Sequence, residues 1–505
     1  MTFALGPFIF DPVRRTLTRD GTATDLGQRT ADLLAALLDA RGAPVSKADL
    51  MDSVWPDTTV EEGNLTVQIA QLRKLLGPGP DGHDWIVTVP RVGYRLIQST
   101  TPASAPAALP TLAVLPFQAL SGEAETDYFA DGIVADIITA LSRFRLLSVV
   151  SRSSAFAYKG RNLDAREVAQ ALSATYLLEG SVRRAAGRLR ITAQLVDGQT
   201  GGTLWSNRFD GDLAEVFEFQ DRITETVATL VAPAIQAKEL LQSRRKRPEH
   251  VTTYDTALRA RALIDTEDEA DNAAALILLQ DALVREPDNG SILSLLTWAL
   301  EHRNVMGWHP AGPDDVTCLI DYARRGIRNA AGDPLVMARC AVALIQVGKD
   351  YDAGMSVLEQ AVQINPHDLY VRAHAGVMTL HCGELDRAME HFAWMLRLGP
   401  TEPVSRFALT GSAHVQLVQG NNAAALDFAT RSLAINDRFD ATYWMLIAAN
   451  AHLGRPDQAR VWLNALLAIS PDARVSRIVA RQPARYSDRF TAVAEGLRLA
   501  GLAED

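Results

Sequence analysis

Residues 60–77 read VEEGNLTVQIAQLRKLLG and residues 85–96 read WIVTVPRVGYRL, with a short Pro/Gly/Asp loop between them. Leu65, Ile69, Leu72 and Leu76 recur at i, i+4, i+7 and i+11, which sets one apolar stripe of a helix against a core. Gly77 follows as a C-cap. Residues 85–89 alternate as a strand, Gly93 permits a tight turn, and residues 94–97 return as the second strand of a hairpin. A helix followed by a hairpin can enter a DNA major groove with the hairpin beside it. The rest of the helix carries Asn64, Thr66, Gln68, Gln71, Arg73 and Lys74. Amides bond adenine edges in two places at once, and Arg and Lys meet guanine edges or phosphates. Arg91, at the hairpin tip, is within reach of a DNA backbone or a narrow minor groove. These seven residues are the candidate contacts to double-stranded DNA. On an isolated helix they would read as a solvated face; the surrounding pattern decides between the two.

That pattern is a complete small domain. Residues 3–10 and 14–18 look like short strands, Asp20-Gly21 is a hairpin turn signal, and a third strand follows near 24–26. Residues 30–40 carry Leu33, Leu34, Leu37 and Leu38 on one helical face. Ser46 with Asp49 three residues on marks a helix start, and Trp55-Pro56 ends that helix. Residues 3–97, about a fifth of the chain, resemble the OmpR/PhoB-type winged helix of bacterial transcription regulators. The matching residues are Leu26, the helix from Ser46 to Trp55, Val60-Glu61-Glu62, Val67, Leu72-Arg73, Leu76-Gly77 and Gly93-Tyr94-Arg95. The resemblance implies that the third helix is the recognition helix. It also implies that the loop Trp55, Pro56, Asp57, Thr58 and Thr59 is where family members touch RNA polymerase. Gly63, Ala70 and Gln71 stand where phosphate-regulon-type members often have Arg, and Pro90-Arg91 stands where Arg-Gly is common, so the target sequence does not transfer.

Residues 1–97 hold ten Lys/Arg against twelve Asp/Glu. A DNA binder is usually basic, so few phosphate contacts and modest affinity per monomer are expected. Tight binding then calls for a homodimer or clustered sites. The whole chain has 505 residues, room for about three domains. Its net charge of −10 argues against a general polyanion binder. Hydrophobic content of 48% and charged content of 22% suit a soluble globular protein. No run of 18 apolar residues predicts a membrane span, and MTFALGPFIFDPVRR lacks the positive n-region of a secretory signal. Residues 99–110 (STTPASAPAALP) read as a Pro/Ala/Ser linker. A cytoplasmic regulator is the expectation. No receiver segment stands before the winged helix, so switching by aspartyl phosphorylation in cis is not expected. Cys318, Cys340 and Cys382 form no CxxC pair and read as packing thiols. The pairs His302/His309 and His374/His381 lack carboxylates or thiols at ligand spacing, so no metal or cofactor is expected.

The next segment, 111–235, interleaves apolar strands and helices as an α/β unit. Strands are expected at 111–117, 146–150, 175–183, 189–197 and 203–208, with helices at 128–141 and 165–172. The segments AVLPF (113–117), YFADGI (128–133), SRSSAFAYKG (151–160), YLLEGSVRR (176–184), RITAQLVDGQTG (190–201) and LWSNRFD (204–210) resemble the TolB-like, FlgO-like domain found in many bacterial regulators. Some relatives of that domain accompany class III adenylate cyclases, but no segment here carries a cyclase domain's paired metal-binding Asp residues. Asp131-Gly132, Ser151, Ser153, Ser154 and Lys159 invite a nucleophile reading. With no G-x-S-x-G, P-loop or G-x-G-x-x-G, a capping or anion-binding loop is simpler, and the chain is not expected to be an enzyme. Residues 236–251, with Arg244-Arg245-Lys246-Arg247, read as a basic linker helix.

From 252 to 472 the chain is helical and repetitive. Gly348, Gly383, Gly420 and Gly454 recur at 35, 37 and 34 residues, and Ala353, Ala388, Ala425 and Ala459 keep step. Pro366, Pro400 and Pro471 close units, with Asp437 in the corresponding place of one, and Pro287 and Pro334 close earlier, degenerate ones. This resembles a TPR solenoid, which implies a concave groove for a protein or peptide partner. Trp298, Trp394, Tyr443, Trp444 and Trp462 read as packing residues. Residues 473–505 read as a capping helix with a frayed tail. The expected whole is multidomain: a winged helix (1–98), a linker, an α/β TolB-like domain and an all-α TPR array. It reads as a one-component regulator whose C-terminal parts sense a signal or partner. The competing reading is a protein-interaction scaffold that uses the TPR groove, linked to cyclic-nucleotide signalling.

Overall fold

The computed structural model describes residues 3–5, 8–11, 15–19, 22–40, 44–55, 60, 62–77, 84–89, 92–96, 109–120, 124–161, 164–185, 188–212, 215–246 and 250–505. Two compact units result, Met1–Ala108 and Leu109–Asp505. Arg91, Pro56 to Thr59, the Asp20-Gly21 turn and Arg247 lie outside the described residues.

The first unit opens with a four-stranded antiparallel meander, β1 (Phe3–Leu5), β2 (Phe8–Asp11), β3 (Thr16–Arg19) and β4 (Thr22–Asp25). The strand expected over 3–10 is thus two strands; Pro7, which has no N–H for a ladder, stands between them in the sequence. Helix α1 (Gln28–Asp39), the short β5 (Val45–Ser46), α2 (Lys47–Val54) and α3 (Glu62–Leu76) lead to the hairpin β6 (Ile86–Val89) and β7 (Gly93–Leu96). Ser46 caps α2, its Oγ accepting from Asp49 N at 3.1 Å. The core joins Phe8, Phe10 and Leu17 to Leu33, Leu34 and Leu37 of α1 and to the leucine stripe of α3. Gly93 is required for a different reason from the one expected. β7 lies between β5 and β6, and a Cβ on Gly93 would stand 2.0 Å from the Val45 carbonyl oxygen. Close strand approach, not turn geometry, excludes a side chain there.

The second unit begins with a mixed sheet. It contains β8 (Thr111–Val114), β9 (Gln118–Ala119), β10 (Ser148–Val149), β11 (Tyr176–Ala185), β12 (Arg188–Asp197) and β13 (Thr203–Asp212). The order is β10-β8-β11-β12-β13, parallel on the β10-β8-β11 side and antiparallel beyond, with β9 also on β11. Helices α4 (Ala124–Leu141), α5 (Arg152–Phe156) and α6 (Ala165–Leu172) complete the α/β part. The expected strands and both helices are present; β9 and α5 are additional. A boundary at 235/236 is not: α7 runs unbroken from Val216 to Arg245 through Pro233. Proline in a helix interior costs about 3 kcal/mol. The offsetting term is burial, since Phe219, Ile223, Val227, Val231 and Ile235 repeat every four residues and are all buried. Beyond α7, Lys246 pairs with Asp255 at 2.8 Å, so that part of the basic run is an internal contact.

Six helix pairs follow: α8 (Thr253–Ile264) with α9 (Glu269–Arg285), α10 (Gly290–Met306) with α11 (Asp315–Arg328), α12 (Pro334–Gln346) with α13 (Tyr351–Ile364), α14 (Leu369–His381) with α15 (Leu385–Leu398), α16 (Ser405–Val418) with α17 (Asn422–Ile435), and α18 (Asp440–His452) with α19 (Pro456–Ile469). The TPR period holds with two local corrections. Pro334 opens α12 at its first turn, where the missing N–H is harmless, rather than closing a unit. In the unit that starts at α12, the left-handed turn residue is Lys349 (φ 54°), not Gly348. Gly354, not the exposed Ala353, makes the close approach there: a Cβ on Gly354 would stand 2.4 Å from Ile345. One extra turn residue shifts this unit by one.

The C-terminal residues form α20 (Val475–Ala480), a 3-10 turn (Ser487–Phe490) and α21 (Thr491–Leu499). The tail is tied down rather than frayed. Val475 N and Ser476 N donate to the Ala503 and Glu504 carbonyls at 3.0 and 2.9 Å, and Arg498 pairs with Glu504 at 2.8 Å. α21 packs on α18, where a Cβ on Gly496 would meet Ala448 Cα at 2.5 Å. The array also curls onto itself. Arg406 of α16 donates to Glu267 at 2.5 Å, and Arg438 donates to Asp268 at 2.7 Å. α12 is buried on every side. The 265–268 turn and the C-terminal segment thus pack against helices of the array.

Candidate nucleic-acid interface

Helix α3 divides cleanly. Leu65, Ile69, Leu72 and Leu76 are buried, while Asn64, Thr66, Val67, Ala70, Gln71 and Lys74 are exposed. At 100° per residue, Asn64, Val67, Gln71 and Lys74 (i, i+3, i+7, i+10) form the face opposite the core. Val67 is 62% exposed; it was not among the candidate contacts, because its apolar character reads as core in sequence. Gly77 closes the helix with φ 64°, its N–H donating to the Arg73 carbonyl at 2.9 Å.

Gln68 and Arg73 have internal partners. Gln68 is half-buried and accepts from Thr30 Oγ1 at 2.7 Å, which ties α3 to α1. Arg73 reaches sideways to β6: its Nε and Nη2 donate to the Ile86 carbonyl at 2.8 and 2.6 Å, and Nη2 also meets Thr88 Oγ1 at 3.1 Å. Asp84 stands 3.3 Å from the same guanidinium. Arg73 thus clamps the hairpin to the helix and sets their relative position. Arg73→Ala is expected to remove about 1–3 kcal/mol of stability from the first unit. Its thermal midpoint should fall together with any DNA affinity; an unchanged midpoint would show that the clamp carries no load. On the hairpin, Arg95 is exposed on β7, opposite Val87. Trp55, at the C-cap of α2, is the described part of the loop matched to polymerase contact.

In the α/β part, the serine and lysine cluster is structural. Ser151 caps α5, accepting from Ser154 N at 3.3 Å. Lys159 meets Asp131 at 2.6 Å and Asp127 at 3.3 Å. Burial lowers the lysine pKa, but the two carboxylates outweigh it and leave it raised. An ammonium held this way is a poor base or nucleophile.

Residues 21–96 match the family described as transcriptional regulatory protein, C terminal. Residues 108–226 match the HilA/YgeH-like transcriptional regulator, second domain. Over 237 residues the chain is 37% identical to "Putative adenylate cyclase 3" of Rhizobium meliloti, covering 47% of this chain and 40% of that protein. Over 118 residues it is 36% identical to the transcriptional regulator HilA of Salmonella typhimurium, covering 22% and 21%. Over 94 residues it is 32% identical to the transcriptional activator CadC of Escherichia coli, covering 18% of each. The matches thus span less than half the length of these relatives. No helix among the described residues is long and apolar enough to cross a membrane. The chain thus carries an OmpR/PhoB-type winged-helix domain over residues 21–96 and a HilA/YgeH-like second domain over residues 108–226.

Proposed function

We propose that this protein binds promoter DNA in the cytoplasm by laying α3 in the major groove, and that the 109–505 unit senses a signal that changes promoter occupancy. The observation that carries the reading is the outer face of α3: Asn64, Gln71 and Lys74 stand exposed on one side while the other side is locked into the core. Asn64 and Gln71 are assigned to base edges, Thr66 and Lys74 to edges or phosphates, and Val67 to a thymine methyl. Arg95 and Arg91 are assigned to the backbone beside the hairpin. Gln68 and Arg73 serve as positioning residues. Residues 55–59 are the proposed RNA polymerase contact, on family resemblance. The near-neutral charge of this domain favours binding as a homodimer or on clustered sites.

The reading gives this chain no catalytic role. The name of the Rhizobium relative describes that protein, most of whose length lies outside the match. A scaffold role would leave the exposed face of α3 without a ligand.

Mobility-shift titration tests the assignment. Gln71→Ala should weaken a selected operator by about 1–3 kcal/mol and relax one base preference, whereas Lys74→Ala should weaken all duplexes alike and lower the salt slope by about one. Unchanged titrations for both variants would overturn it.

A further inference from the structure

Helices α10, α12, α14, α16 and α18, with Gln482 and Phe490 of the C-terminal segment, line a partly open pocket of about 130 Å³. Its lining is mainly apolar, including Trp298, Val377, Met378, Phe407 and Met445. The volume is close to that of an engineered apolar cavity known to take benzene, roughly 150 Å³. Three polar rings share the wall: His374, His381 and Trp444, which are 8%, 6% and 5% exposed. His374 Nε2, His381 Nδ1 and Trp444 Nε1 have no hydrogen-bond partner among the described residues. Their neighbours on the same wall are satisfied: His414 Nε2 meets the Arg489 carbonyl at 2.8 Å, and His302 Nδ1 meets Glu301 at 2.8 Å. A buried nitrogen without a partner destabilises a fold and calls for an explanation. Three around one ring-sized cavity point to a ligand that supplies the missing partners.

The wall also sets the ligand's charge. Burial holds His374 and His381 neutral, each lowered to about 3. His302 is already paired with Glu267 at 3.5 Å and with Glu301. Arg339 lies over the Trp298 ring at 4.5 Å, outside the lining. No unpaired charge lines the cavity to compensate an ionised ligand.

We propose that this cavity binds an uncharged, single-ring small molecule bearing one or two hydroxyl or carbonyl groups, with the ring against Trp298 and Phe407 and the oxygens on the unpartnered nitrogens. The proposal deepens the signal-sensing reading and rests on it only for the effect on DNA. Gln482 and Phe490 form one wall of the partly open pocket. That wall is held by Arg485 N on the His381 carbonyl at 3.0 Å and by the His414 contact.

The test is calorimetric titration of the full chain with phenol and, as the apolar control, benzene. Phenol should bind saturably with a Kd below about 1 mM, a modest affinity for seven non-hydrogen atoms, and about tenfold tighter than benzene. Trp444→Phe and His374→Phe keep the rings and remove orphaned nitrogens. At least one should bring phenol down to the level of benzene, with benzene unchanged. Val377→Phe fills the cavity and should abolish both. The site is overturned when neither compound binds, when Val377→Phe still binds both, or when both ring variants keep the phenol preference. Operator affinity is measured separately. Phenol binding without any change in operator affinity supports the site and overturns the sensing role; operator binding by a chain that takes no phenol overturns the site alone.

Discussion

Arg406→Met is expected to cost the 109–505 unit about 3–5 kcal/mol, because it strands a buried carboxylate. Arg406 is 1% exposed and donates to Glu267, itself 4% exposed, at 2.5 Å. Its second arm donates to the Pro403 carbonyl at 2.9 Å, and the guanidinium lies 4.3 Å over the Phe407 ring. Glu267 holds a left-handed φ of 57° in the turn between α8 and α9, a conformation that costs roughly 1–2 kcal/mol for a residue with a Cβ. The turn tolerates that strain where its carboxylate reaches both Arg406 and His302. Without Arg406, only His302 remains for Glu267. Arg406→Met combined with Glu267→Gln should be more stable than Arg406→Met alone, because no carboxylate is left short of its main partner and His302 keeps Glu301. Denaturant midpoints of the helical signal measure both. A single variant within about 0.5 kcal/mol of wild type, or a double variant worse than the single, would contradict this account.

The second large effect is on acid stability. His374, His381, His391 and His414 are all lowered, to about 3, 3, 4 and 4, by burial first. Neighbouring cations add to burial for the first three: Arg339 for His374, Lys349 for His381 and Arg372 for His391. Between about pH 4 and 6.5 the unfolded chain therefore binds four protons that the native array refuses. Asp440, raised to about 6 by burial, takes up one in the native state; burial also raises Asp333, Asp368 and Glu402 and lowers His367. The imidazoles titrate first on the way down from neutral pH, so stability should fall as pH drops below 6.5. The alkaline side has the opposite cause. Burial would lower the pKa of His302, but Glu267 and Glu301 outweigh it and raise it to about 10. Its contribution is complete below 6.5 and is lost as pH rises towards 10. Glu267 is lowered to about 2 by His302 and Arg406 against its burial, so its share is kept above 4.5 and lost only in stronger acid. The unit should be most stable near pH 6.5. A thermal midpoint that stays flat from pH 7 to 5 would show that these imidazoles are not buried neutral.

Local chemistry was legible in sequence where one element decides it. The leucine stripe of α3, the Ser46 cap, the Gly77 stop and the strands β11 to β13 all follow from spacing of two, three or four residues. The candidate face of α3 was legible only as composition. Gln68 and Arg73 look like Gln71 and Lys74 in a string of letters; their partners Thr30, Ile86 and Thr88 come from other elements. Pro233 reads as a stop because the opposing term, a buried face of four-residue period, becomes visible only once the helix is extended through it. The offset at Lys349 shifts one repeat by a single residue, less than the drift between neighbouring units. The cavity and the Glu267–Arg406 contact join residues more than a hundred apart, and no periodicity encodes them.

Selection of genomic DNA fragments by the purified full-length chain at near-physiological salt tests the central claim most directly, with the Gln71→Ala/Lys74→Ala variant run in parallel. Sequence-selective duplex recognition through α3 predicts a small set of enriched fragments that share a motif with half-sites about one helical turn apart, and loss of that enrichment in the variant. Equal recovery of all fragments by a folded wild-type chain, or enrichment that the variant keeps intact, would contradict it.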